Sequence, residues 1–356
     1  MEQKNVYYHE YLHLDKILDA QYPESDLPGN EKAHDEMFFI IIHQAYELWF
    51  KLILFELDFI LSVFKKEKID DNSEDLNLVR HRLNRVNKIL NLLTTQITML
   101  DTMTPLDFLE FRNLLVPASG FQSVQFRLIE ARLGLQMENR FNKEYYKRTN
   151  EGGFAKSDFD RINDVEKEKS LLILVNEWLE RMPFFDKELW QNYQSLFPVK
   201  DGLHPFWSDY RNVYQGSLNE REANKINDFD RIFFPENQGA DEKKDTLLSA
   251  NAMKAALFIM LYRDFPVFQT SYQILDGLIE MDNQLSNWRH KHIDMVRRMI
   301  GLRMGTGNTS GRGYLEGALN SHYIFKDLSS LATFLFERKK LPVLPKELIR
   351  KMSYSN

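Results

Sequence analysis

Apolar side chains recur every three or four residues through most of this chain, and stretches that alternate apolar with polar over the length of a strand are hard to find. That period belongs to the α-helix, whose residues at i, i+3, i+4 and i+7 share a face, so an all-α fold is expected. Glycine and proline, 15 and 11 of 356 residues, are scarce enough to leave long segments unbroken. The pattern predicts helices near 34–65, 74–100, 105–113, 120–134, 166–182, 246–263, 267–300 and 322–337. In the second of these, Leu76, Val79, Leu83, Val86, Leu90, Leu93 and Ile97 line one side while Arg80, Arg82, Lys88 and Asn91 fall elsewhere, so one stripe should pack inward. From about 185 to 245 short aromatic clusters mix with Pro, Gly and charge, which reads as a small helical excursion with surface loops. No fixed-period repeat and no Pro-rich or Gly/Ser-rich linker divides the chain, so residues 1–356 are expected to form a single helical domain. The final stretch, from Lys339 onward, carries spaced prolines and is expected to be a peripheral tail.

Several function classes fall away at once. The chain carries 46 basic and 52 acidic residues with the signs mixed along it, so nucleic acid is not an expected partner. Its most apolar stretch, Met37 to Phe64, is interrupted by His43, Glu47, Lys51, Glu56 and Asp58, whereas a membrane span needs about 20 nearly uncharged residues. No membrane association is expected. The N-terminus has no basic segment followed by an apolar run, so a cytoplasmic location is expected. With no cysteine, the chain can form no disulfide, thiolate nucleophile, cysteine–zinc site, iron–sulfur cluster or thiolate-ligated haem. Any metal must be held by histidine, carboxylate or tyrosinate.

Three segments carry residues suited to chemistry. Phe39, His43 and Glu47 are spaced by four and share an otherwise apolar helix face, which sets a histidine among greasy neighbours. It is either a core histidine satisfied by hydrogen bonds or a functional one. In the second segment Thr104-Pro105 starts a helix, Phe108 and Arg112 lie one turn apart, and Ala118-Ser119-Gly120 breaks the chain. A guanidinium beside an aromatic ring can grip a carboxylate through two parallel hydrogen bonds, or simply pair with an Asp or Glu. In the third, His290 and His292 sit two residues apart near the end of a helix, about 200° round it, so they cannot both ligate one metal. The following loop, Gly305 to Gly313, lacks the lysine and spacing of a phosphate-binding loop and follows a helix, which excludes a nucleotide site. Its glycines suit either close approach of backbone to a ligand, with Thr306 offering a hydroxyl, or a plain flexible loop. Two Glu-x-x-His pairs, Glu10/His13 and Glu31/His34, are the elements of a carboxylate-bridged di-iron site, but they flank a Pro- and Gly-containing stretch instead of lying on two long helices.

In order along the chain, YYHEYLHLDKILDAQYP, HDEMFFIIIHQAYELWFKLILFELD, LDTMTPLDFLEFRNLLVPASGFQSVQFRLIE, EKSLLILVNEWLERMP and NWRHKHIDMVRRMIGLRMGTGNTSGRGYL resemble the tryptophan 2,3-dioxygenase family over most of residues 7 to 320. The resemblance implies long central helices enclosing a b-type haem, active as Fe2+. It implies that L-tryptophan and O2 react across the indole C2=C3 bond to give N-formylkynurenine, the first step of tryptophan breakdown by the kynurenine pathway. His292 matches the axial iron ligand, and His290 matches none. His43 matches the residue that accepts the indole N–H hydrogen bond, in a pocket walled by Phe39 and Phe108. Phe108 stands where some bacterial members carry tyrosine, so no hydroxyl is expected there. Arg112 matches the partner of the substrate carboxylate, and Thr306 the residue that contacts its ammonium and carboxylate. Ser119 and Gly120 match a turn against the haem periphery. A homotetramer is implied, with the segment of residues 1–30 covering the neighbouring subunit's pocket through Tyr8, Tyr11 and Leu12; the alternative is that these residues anchor the N-terminus to its own core. The competing readings are a haem-binding indole sensor or carrier without turnover, and an oxygenase of another indole.

Overall fold

Two long helices dominate, and the reason is continuous apolar periodicity without an interior proline. Helix α3 (His34–Phe64) and helix α12 (Pro266–Ile300) run for 31 and 35 residues, α12 with its proline confined to the first turn, where no backbone donor is lost. The computed structural model describes residues 5–69, 74–135, 153–199, 203–235, 246–301, 303 and 323–353, and among these it contains no strand. The two short N-terminal helices, α1 (Tyr8–Leu12) and α2 (Leu14–Leu18), are separated by His13 at φ 49 and bury no residue. Helix α4 (Glu74–Gln96) continues into a tight 3-10 stretch, Ile97–Thr102. It packs against both α3 and α12, and all seven stripe residues from Leu76 to Ile97 are buried. Its approach to α12 is close at Gly277, where an added Cβ would lie 2.7 Å from Leu83 Cδ2, while Asn87 Nδ2 donates to the Gly277 carbonyl at 2.9 Å. Buried Glu56 of α3 is held from α4 by Arg85 at 2.6 Å and Arg82 at 3.4 Å.

Helix α5 (Pro105–Phe111) contacts both α3 and α12, and helix α6 (Val124–Leu133) lies against α3. α6 ends at Gly134, whose φ of +128 and 2.8 Å clearance to Leu172 Cβ leave no room for a side chain. Next come α7 (Lys156–Lys167) and α8 (Leu171–Glu180), then α9 (Pro205–Ser217), α10 (Lys225–Phe233) and α11 (Ala250–Leu261). After α12 follow α13 (Lys326–Ser330) and α14 (Lys346–Met352). No helix among the described residues is long and apolar enough to cross a membrane.

Two expectations change. The helical excursion is packed into the core, not spread over the surface: Phe206, Trp207, Tyr210 and Tyr214 of α9 and Phe229 and Phe233 of α10 are at most 2% exposed, with Phe206 on Phe258 and with Tyr214, Phe229 and Phe233 on Phe334. Positions 207, 210 and 214 already carry helical spacing, with Pro205 ready for the first turn; the nearby prolines and glycines hide it. The C-terminal stretch is docked, not peripheral. Leu348 and Met352 are buried, and the Tyr262 hydroxyl donates to the Pro342 carbonyl at 2.9 Å. Its prolines punctuate short turns between buried residues instead of extending the chain into solvent. Helix α7 was absent from the pattern because it buries only Ile162 fully.

Candidate active site

On α3, the Phe39 and His43 rings lie 4.0 Å apart, as the four-residue spacing on one helix face requires. His43 Nδ1 is 2.7 Å from the Phe39 carbonyl oxygen. A carbonyl can only accept, so Nδ1 carries the proton and donates, and Nε2 keeps its lone pair. Burial lowers the His43 pKa, outweighing the Phe39 hydrogen bond and the Glu47 charge, which both raise it. The ring is therefore neutral and its Nε2 is an acceptor.

On α12, burial pushes His292 down to about 4, with lesser lowering from the nearby His43 and Arg127. Trp288, one turn earlier, stacks on the His292 ring at 5.3 Å and 19°. Trp288 in turn packs on Phe126 at 4.9 Å, Tyr46 at 6.3 Å and Phe50 at 6.4 Å. The Tyr46 hydroxyl is spent on the Leu93 carbonyl at 2.8 Å. His290 is exposed, on the opposite side of the helix from the packed face. His43 and His292 are each half-buried, and burial dominates both shifts. Two neutral imidazoles from helices far apart in sequence thus lie near one another.

Helix α5 supplies a side wall. Its start is a capping box, in which Asp107 N–H donates to Thr104 Oγ1 at 3.3 Å and Thr104 N–H to Asp107 Oδ2 at 2.7 Å. Half-buried Phe108 is 5.8 Å from Phe39, and fully buried Phe111 packs edge-on against both rings at 5.4 and 5.5 Å. The Arg112 N–H closes α5 on the Phe108 carbonyl, and its half-buried residue opens a single 3-10 turn, Arg112–Leu115. Ser119 caps the next turn: its Oγ accepts from Phe121 N–H at 3.3 Å, which leaves the hydroxyl proton available to donate. Beside Gly120 there is open space, with nothing within 4 Å of a Cβ built there.

Phe39, His43, Phe108, Arg112, Ser119 and Gly120 thus come from α3 and the α5–α6 region, while His292, near His43, comes from α12. Tyr8 and Tyr11 are each 71% exposed and Leu12 is half-exposed, so they do not anchor the N-terminus to its own core. Thr306 lies outside the described residues. Sequence reasoning passed over Phe111, Trp288 and the buried Arg127–Glu130–Arg289 cluster. Trp288 at four residues before His292 and the Arg127/Glu130 spacing of three were the signals available for the last two.

The sequence model of the family described as tryptophan 2,3-dioxygenase matches residues 1–335. The chain belongs to the tryptophan 2,3-dioxygenase family. It is 39% identical to the tryptophan 2,3-dioxygenase of Bdellovibrio bacteriovorus over 368 residues, covering 99% of each chain. It is 40% identical over 374 residues to that of Alteromonas mediterranea, again covering 99% of each. Against that of Dictyostelium discoideum it is 40% identical over 366 residues, covering 99% of this chain and 89% of the relative.

The residues present fit the haem this family membership calls for. Such a group needs a neutral imidazole with a free lone pair, apolar walls and a second face left open. His292 is held neutral against the Trp288 ring, the walls are aromatic, and His43 nearby already uses Nδ1 on its own backbone. Among the described residues no group of three or more His, Asp or Glu is placed to hold a bare metal ion, the Glu10/His13 and Glu31/His34 pairs included.

Proposed function

We propose that the chain binds haem b between α3 and α12 and uses it, as Fe2+, to add both atoms of O2 across the indole C2=C3 bond of L-tryptophan, giving N-formylkynurenine. The observation that carries this is the pair of neutral imidazoles, His43 and His292, brought near one another among aromatic rings from two helices far apart in sequence. The haem supplies O2 binding and activation, the step no side chain can perform. His292 would hold the iron, with Trp288 stacked on its ring to fix its rotation. Ser119 Oγ, which accepts from Phe121 N–H, keeps its own proton and would donate it to an acidic group of the haem.

His43 Nε2, left bare by the Phe39 carbonyl, would accept the indole N–H and set the direction of the ring. Phe39 and Phe108, backed by buried Phe111, would grip the indole and exclude water. Arg112 holds the carboxylate at the other end, and Thr306 contacts the carboxylate and ammonium. Fixing the substrate at both ends removes orientational freedom before the reaction begins. The whole chain acts as one domain in a cytoplasmic homotetramer, and the exposed Tyr8, Tyr11 and Leu12 cover the neighbouring subunit's pocket; α1, which buries nothing of its own, supports this.

The test is direct. Purified protein reconstituted with hemin and reduced is given L-tryptophan under 18O2, and the product mass is read. Incorporation of two labelled atoms is expected. A hemin-loaded protein that binds tryptophan without turnover would be the sensor or carrier instead, and one that accepts only indoles lacking the carboxylate would remove Arg112 from its role.

A further inference from the structure

A buried ion cluster behind the site has no part in the chemistry described so far. Glu130 of α6, 1% exposed, receives Arg127 Nη1 at 2.8 Å from its own helix and Arg289 Nη2 at 3.0 Å from α12. Both arginines are themselves buried, at 7% and 6% exposure. Burying three charges is costly, and apolar residues of equal volume would hold two helices together as well or better. What such a cluster supplies is register, because hydrogen bonds of fixed length and direction admit one alignment where a greasy contact admits several.

The alignment it sets is that of His292. Arg289 lies three residues before His292, on the adjoining part of the same helix face. Arg127 reaches the same ring by a second route. Its guanidinium lies over Phe121 at 5.0 Å and Phe126 at 5.3 Å, Phe126 packs on Trp288 at 4.9 Å, and Trp288 stacks on His292 at 5.3 Å. Glu130 thus ties the backbone and the stacking partner of one imidazole to a single point on α6. We infer that Glu130 is a positioning residue for the His292 imidazole, fixing its height and rotation through Arg289 and the Phe126–Trp288 stack. This rests on the reading of His292 as the iron ligand.

Glu130→Gln leaves two buried arginines facing a neutral amide and can fail to fold, so the deciding variant is Glu130→Gln/Arg289→Met. It removes one negative and one positive charge together, keeps the net charge of the cluster, and cuts the α6–α12 link. Two readouts are taken. In the hemin-loaded ferrous protein, the iron–imidazole stretching band in the resonance Raman spectrum is expected to shift or broaden, and hemin transfer to apomyoglobin to accelerate by about tenfold or more, the usual scale for loss of an outer-shell partner. In the hemin-free protein labelled with 5-fluorotryptophan, the Trp288 19F line, assigned by Trp288→Phe among the five tryptophans, is expected to move. Glu130→Asp, which keeps the charge but retracts it, should fall between parent and double variant in both. Unchanged band, transfer rate and 19F line in a folded double variant overturn the proposal. A parent chain that takes up no hemin overturns the haem reading instead, and the 19F line then decides the role of Glu130 alone.

Discussion

Histidine sits among aromatic rings in two regions of this molecule, and only one of them is the candidate site. At the candidate site, His43 and His292 are half-buried and lie near each other on two helices. At the start of α9, His204 is enclosed by the Trp190 ring at 4.8 Å and the Phe185 ring at 5.9 Å, and both its ring nitrogens are covered without a hydrogen-bond partner. Burial pushes His204 to about 4 just as it does His292. A depressed imidazole in an aromatic nest is therefore not by itself a functional signature. What separates the two is company: the rings about His204 are Trp190 and Phe185, whereas His292 has a second imidazole, His43, nearby.

The sharpest way to break this comparison is to remove the histidines in turn. His292→Ala is expected to abolish stable hemin binding while His204→Ala leaves it intact, read as the Soret band after desalting; a full histidine-ligated spectrum in His292→Ala would remove it as ligand. Next in size, Phe229→Ala in the α9–α11 region should cost about 3–5 kcal/mol of stability, seen in chemical denaturation, because neighbours already in contact cannot close the cavity. A loss below about 1 kcal/mol would show that this core is not tightly packed.

The pH dependence of the two regions should differ as well. His204 takes up its proton near pH 6.5 in the unfolded chain but only near 4 when folded, so the unfolded state binds more protons between these values. Its share of stability is full above about pH 6.5 and is lost as pH falls toward 4, by up to about 3 kcal/mol. Hemin-free protein carries the same slope from His292, so the decisive measurement is whether His204→Phe flattens the stability–pH curve; an unaltered slope would place His204 in water. Arg112→Leu should raise the KM for L-tryptophan by about 1.5–3 kcal/mol in binding terms and leave folding unchanged. Unchanged KM and turnover would mean that another group holds the carboxylate. The smallest effect, about 1 kcal/mol of stability, is expected for Thr104→Ala, which deletes the cap of the helix that carries Phe108.

Much of the site was legible because its residues lie where helical period and side-chain chemistry can be read together. Phe39 and His43 share a face, Phe108 and Arg112 follow a capped Thr-Pro start, and the 200° between His290 and His292 left only one to point inward. The α9–α11 region was less legible. Trp207, Tyr210, Tyr214, Phe229 and Phe233 sit among prolines, glycines and charges, and composition of that kind argues for surface until contacts show otherwise. Leu348 and Met352 were misjudged for the same reason.

Period and polarity are local properties, so the order of residues alone determined that the chain is helical, which stripe of α4 turns inward and which side chains are fit to bind. Distance between segments is not local. Only the tertiary structure decided that His292 comes near His43, 249 positions away in sequence, that Glu130 lies against Arg289, and that both His204 ring nitrogens are covered. Each of those depends on where helices cross and what volume they leave between them, and packing, unlike periodicity, is settled by the whole chain at once.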